Sequence, residues 1–200
     1  MSKTIKGLII GISIFLVIVL IIVSILMFPL KGKTYDYDYW YRDKPYDIND
    51  TVVLEKEENK DFKILVITDL QFNDALDLCG RADNVYETID ALITEQKPDL
   101  IVITGDLVWA KFTKFSVIKA INKIDSYGIP WAPINGNHDG EGKADLKWQG
   151  EQFMKAEHCL YQPGPSNLTG EGNYIINVTE NGKVIQSLIL MDSGNHDTYG

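Results

Sequence analysis

Asp99-Leu100-Ile101-Val102-Ile103-Thr104-Gly105-Asp106-Leu107 decides how this chain is read. A run of mostly β-branched apolar residues stops abruptly at Gly-Asp, as a strand buried on both faces does where it meets a polar turn. The pattern recurs twice. Phe62-Lys63-Ile64-Leu65-Val66-Ile67-Thr68 ends in Asp69-Leu70-Gln71, and Pro130-Trp131-Ala132-Pro133-Ile134 leads into Gly136-Asn137-His138-Asp139. Between the first two runs Val85, Ile89, Leu92 and Ile93 recur at helical spacing before Pro98. Ile118, Ile121, Ile124 and Tyr127 do the same before Gly128. Strand, helix, strand, helix, strand predicts an α/β fold with a parallel sheet. Such a sheet brings the carboxyl ends of its strands to one crevice, so the three polar blocks converge there.

In this order the blocks resemble those of the calcineurin-like metallophosphoesterases, which run D-x-H, G-D-x-x and G-N-H-D/E. The resemblance covers about residues 51 to 200. It implies the αββα sandwich of that family, here its N-terminal part only. It also implies a site for two divalent metal ions, manganese, iron, magnesium or zinc. Two such cations sit roughly 3.5–4 Å apart, need an anionic bridge against their repulsion, and lower the pKa of water between them. By resemblance Asp106 is the bridge, Asp69 and Gln71 hold the first metal, and Asn137 holds the second. His138 gives a proton to the leaving-group oxygen, and Asp139 orients or charges that imidazole.

Gln71 departs from the commoner histidine. A carboxamide oxygen is neutral and hard, so the departure tilts the site toward manganese or magnesium. The competing reading makes Gln71 a residue that orients Asp69 or water. Asp69 and Asp106 could also serve as strand-end caps, and Gly105 and Gly136 as ordinary turn glycines. Taken singly those readings suffice; the ordered set at three strand ends favours a site. His158 and His196 are read as surface or loop histidines. The family's downstream histidines, one at a later strand end and a pair in G-H-x-H, have no counterpart before Gly200, so the chain looks cut short.

From Leu8 to Leu30 there is no charge and almost every residue is apolar, enough to cross a bilayer. Met27-Phe28-Pro29-Leu30-Lys31 offers no small-residue cleavage site, which favours an uncleaved anchor. Three parts are therefore expected: an anchor at 1–30, a stalk at 31–50 carrying Tyr35-Asp36-Tyr37-Asp38-Tyr39-Trp40-Tyr41, and a metallophosphoesterase domain at 51–200. Lys3 and Lys6 precede the span while Lys31 and Lys33 follow it, so charge barely orients it. The short N-terminal tail and the sequons at Asn49, Asn167 and Asn177 point the domain outside the cytoplasm.

A formal net charge of −9 excludes any broad phosphate-backbone footprint, so nucleic acid is not an expected partner. Cys79 and Cys159 form no metal-like spacing. Two hairpins are predicted, Thr51 to Leu54 with the strand at Phe62, and Asn173 to Val178 with Val184 to Met191 around Asn181-Gly182. The expected protein is a membrane-anchored, metal-dependent phosphoesterase acting on a phosphorylated small molecule or phosphoprotein. Its alternative is a non-catalytic, membrane-tethered binding protein on a degenerate metallophosphoesterase scaffold.

Overall fold

Lys3–Met27 forms helix α1. Its apolar stretch Ile5–Val23 is long enough to cross a membrane, because at 1.5 Å per residue it spans roughly 28 Å against a hydrocarbon core of about 30 Å. The computed structural model describes residues 3–27, 51–73, 81–110, 113–165 and 168–194. Phe28 to Leu30 of the expected span, the Tyr35 to Tyr41 stalk, Cys79, the sequon asparagines Asn49 and Asn167, and His196 lie outside the described residues.

Among the described residues six strands build two sheets. β2 (Ile64–Ile67), β3 (Leu100–Thr104) and β4 (Trp131–Ile134) form one, all parallel, in the order β2-β3-β4. Helices α2 (Arg81–Gln96) and α3 (Thr113–Asp125) make its crossovers. β1 (Val52–Glu55), β5 (Tyr174–Glu180) and β6 (Lys183–Leu190) form the other, β1 parallel to β5 and β5 antiparallel to β6. Helix α4 (Leu146–Phe153) follows the third polar block, capped by Asp145, whose carboxylate accepts from the Trp148 N–H at 2.7 Å.

β3 is buried from Leu100 to Ile103 because it lies in the middle of its sheet. The sheets share one apolar core in which Tyr174, Ile176 and Leu190 join Leu100 to Ile103, Val117, Ile121 and Trp131. One polar bond crosses it: the Tyr174 hydroxyl donates to the Pro133 carbonyl at 2.7 Å. Pro133 is tolerated because β4 ends the strand order, where a missing N–H costs no central ladder bond. On the helical side, Lys123 of α3 and the Tyr127 hydroxyl both donate to Asp90 Oδ1 of α2 at 2.7 Å. These bonds hold the Asp90 carboxyl below its ordinary value. Its small contribution is present above that value and is lost as pH falls.

The second predicted hairpin forms, with Asn181 and Gly182 both in the left-handed region at its turn. The first does not. β1 leaves the neighbouring β2 for β5, 124 positions on (Val52 with Ile176). Side-chain chemistry explains the choice. Lys56 pairs with Glu180, Thr179 with Glu55, and the Asn177 amide donates to Thr51 Oγ1 at 2.9 Å. These partners do not exist on β2. The same bonds close the sequon at Asn177, which is 5% exposed and leaves no room for a glycan. β2 itself is an edge strand with Val66 exposed, not one buried on both faces.

Among the described residues nothing covers the outer face of the second sheet, where Val53, Val184 and Ile189 (65% exposed) lie on the side opposite the core. Ile176→Ala should therefore cost about 2–5 kcal/mol in denaturant unfolding of the detergent-solubilised chain. Ile189→Lys should change stability by less than about 0.5 kcal/mol while lowering self-association in light scattering. Equal costs at the two positions would contradict the assignment of inner and outer faces.

Candidate functional site

The ladder between β2 and β3 does not stop where the strands do. The Asp69 N–H donates to the Gly105 carbonyl at 3.2 Å, Gln71 to Asp106 at 2.9 Å, and Phe72 to Leu107 at 3.0 Å. The loops after β2 and β3 therefore run side by side beyond the sheet. Three of their non-glycine residues take left-handed backbone, Asp69 (φ 56°), Gln71 (φ 45°) and Asp106 (φ 53°). Each such residue costs on the order of 1–2 kcal/mol, and strain of this kind gathers at functional sites. It occurs at three of the four positions expected to bind metal.

The third loop docks on the second through glycine. A Cβ on Gly105 would lie 2.7 Å from Gly136 Cα, and one on Gly136 would collide with the Asp106 carboxylate. Asp106, 7% exposed, accepts the His138 main-chain N–H through Oδ1 at 3.0 Å. Asp139 completes the junction. Its Oδ2 accepts from Gly136 N–H at 2.7 Å and Asp106 N–H at 2.9 Å, and its Oδ1 from Val108 N–H at 3.3 Å. The main-chain oxygen of Asp139 is held in turn by the buried Gln149 amide of α4 at 2.6 Å.

Both oxygens of Asp139 are taken by main-chain donors, which fastens the loops, and its charge acts on the His138 imidazole only at longer range. Burial raises its carboxyl to about 6, opposed by those three bonds. The carboxylate beside His138 is Glu141, whose Oε2 lies 2.9 Å from His138 Nδ1, an ion-pair contact not aligned as a hydrogen bond. Glu141 is the main cause that raises the imidazole's pKa, aided at longer range by Asp106 and Asp139. His138 and Glu141 line a cleft of about 350 Å³ together with Asn73, Val108, Trp109 and Thr113.

Asp69 and Asn137 are exposed and Gln71 is half-buried on these loops, with the Thr68 hydroxyl donating to Asp69 Oδ2 at 2.6 Å. His158 is elsewhere. Its N–H donates to Asp125 at 2.8 Å and its carbonyl accepts from Trp131, at the opposite end of β4 from Gly136 to Asp139. Glu141, Trp109 and Gln149 are the residues the sequence reading passed over. For Glu141 the available signal was its place three residues after His138.

Among the described residues no three His, Cys, Asp or Glu side chains gather as a metal site. The donors present are two carboxylates, Asp69 and Asp106, and two carboxamides, Gln71 and Asn137. That set of hard oxygens suits magnesium or manganese, and Gly136 leaves open the space the Asp106 carboxylate fills. These loops lie at the carboxyl ends of a parallel sheet, with His138 beside a cleft.

The profile described as calcineurin-like phosphoesterase matches residues 62–199, and the chain belongs to that family. It is 28% identical over 179 residues to the phosphatase DCR2 of Saccharomyces cerevisiae, covering 78% of this chain and 31% of that protein. It is 29% identical over 165 residues to the probable inactive purple acid phosphatase 29 of Arabidopsis thaliana, covering 70% of the chain and 42% of the relative. To the probable inactive purple acid phosphatase 28 of the same plant it is 36% identical over 95 residues, 40% of the chain and 24% of the relative. The chain thus spans less than half the length of each of these relatives.

Asp139→Asn places an amide NH2 against a main-chain N–H and should cost about 1–3 kcal/mol in thermal or denaturant unfolding. His138→Asn, at a half-buried side chain, should cost less than about 1 kcal/mol. The reverse order would show that Asp139 is not the fastening group.

Proposed function

We propose that the chain carries the metal-binding and proton-donating half of a phosphoesterase that hydrolyses phosphorylated substrates. One observation carries this reading. The loops after β3 and β4 are fastened by Asp139 and by the Gly105–Gly136 contact, and the loop after β2 by its ladder bonds to Gly105, Asp106 and Leu107, so the segments that carry Asp69, Gln71, Asp106, Asn137 and His138 lie at one end of the sheet. Folding alone does not require an oxygen donor at each of these positions.

Asp69 and Gln71 would hold one divalent cation, Asn137 another, and Asp106 would lie between them. Bound there, the ions supply a water of lowered pKa and offset charge on the phosphoryl oxygens. The protein's own groups do the rest. Glu141, 2.9 Å from Nδ1, raises the pKa of the His138 imidazole, whose Nε2 would give a proton to the departing oxygen. Asp139 keeps the His138 main chain in register with Asp106. Helix α1 anchors the chain as a single span with the domain on the extracytoplasmic side, a reading supported by its length, its apolarity and the short basic tail before it.

A second reading is a non-catalytic scaffold on a membrane tether. It is favoured by the absence of a three-residue acidic or histidine cluster among the described residues, and by relatives whose names include the word inactive.

Asp106→Asn separates the two readings. In the full-length protein it should remove at least one bound manganese ion by mass spectrometry and lower p-nitrophenyl phosphate turnover by more than a hundredfold, with the circular dichroism spectrum unchanged. Unchanged metal content and turnover would sink the assignment of Asp106. For the anchor, the chain should stay with membranes through alkaline carbonate extraction. A soluble protein whose N-terminus begins after Pro29 would instead mean a cleaved signal.

A further inference from the structure

Trp109 is 56% exposed, although Leu107 and Val108 before it belong to the core. Its indole lies over the cleft with its centroid 5.7 Å from that of the His138 imidazole, tilted by 41°. Among the described residues the ring is not part of the apolar core. Trp131, by contrast, is fully buried, and its Nε1 donates to Asp125. An indole also has no lone pair to give a metal, so Trp109 adds nothing to the donor set.

The position of His138 fixes what Trp109 can touch. If His138 protonates the departing oxygen, the leaving group must begin at that imidazole. Its first atoms then lie within reach of an aromatic face less than 6 Å away. A flat ring bonded directly to the ester oxygen can stack there, whereas an alkyl group presents no face. The cleft, at about 350 Å³, suits a small ring. In a nucleotide the ribose intervenes and carries the base past the indole.

We propose that Trp109 is the leaving-group platform and that the substrates of this site are aryl phosphomonoesters, an inference that rests on the proposed phosphoesterase reading. The P–O bond to the aryl oxygen breaks as water's oxygen bonds phosphorus. The His138 proton goes to the aryl oxygen and is replaced by one from the water, giving a phenol and inorganic phosphate.

The test compares phenyl phosphate with glycerol 2-phosphate, using full-length wild type, Trp109→Ala and Trp109→Phe with manganese. Trp109→Ala should lower the ratio of kcat/KM for phenyl phosphate over glycerol 2-phosphate about three- to tenfold, chiefly through KM, and Trp109→Phe should restore most of it. An equal loss on both substrates would mean that Trp109 only packs against His138, and a preference for adenosine 5′-phosphate over phenyl phosphate would reject the aryl class; either overturns the proposal. Should wild type hydrolyse none of them, the phosphoesterase reading fails and binding decides the platform. Quenching of indole fluorescence by phenylphosphonate, lost in Trp109→Ala, supports it, and no quenching overturns it.

Discussion

The backbones of Gly105 and Gly136 approach so closely that neither tolerates a side chain, and the polar edge of the molecule depends on this contact. It lets the loop after β4 lie against the loop after β3. Main-chain N–H groups from both loops then reach the single carboxylate of Asp139. A carboxylate is suited to this because it accepts several bonds at once and donates none. Asp106, seated between the glycines, gains a bond from His138 N–H as a by-product of the same packing. The groups expected to do chemistry are thus positioned by groups that do none.

That division explains how much was legible beforehand. The strands at Ile64, Leu100 and Trp131, the two crossover helices and the hairpin around Gly182 all follow from local periodicity and turn chemistry. That the loops carrying Asp69, Asp106 and His138 leave the same end of the β2-β3-β4 sheet follows from parallel topology alone. β1 was misread because its partners, Asn177, Thr179 and Glu180, are remote, and a single sequence does not pair distant polar residues. The fastening role of Asp139 was not legible for a related reason: adjacency to His138 in sequence pointed to the imidazole, while its carboxylate accepts from the main chain of Gly136, Asp106 and Val108. Nothing in the sequence singles out Trp109, since exposure is a property of the fold and not of the residue.

Left-handed backbone at Asp69, Gln71 and Asp106 fits the same picture. Aspartate adopts that region fairly readily; glutamine has less reason to. Keeping Gln71 there costs stability that a glycine would recover. The ladder bonds from Gln71 N–H to Asp106 and from Phe72 N–H to Leu107 hold the strained segment in place.

The parallel pairing of β1 with β5 also sets an order of events during synthesis. β1 leaves the ribosome before the other described strands, and among the described residues Val52 pairs with Ile176, made 124 residues later. At about 5–20 residues per second that interval is roughly 6 to 25 s. The β2-β3-β4 sheet, whose strands succeed one another along the chain, can assemble meanwhile. β1 waits through this period as an unpaired segment with Val52, Val53 and Leu54 in a row, and a long sequence separation makes its closure slow once β5 arrives. The most N-terminal strand of the domain is therefore among the last to be secured, and the newly made chain is most open to chaperones and mispairing at the end that was synthesised first.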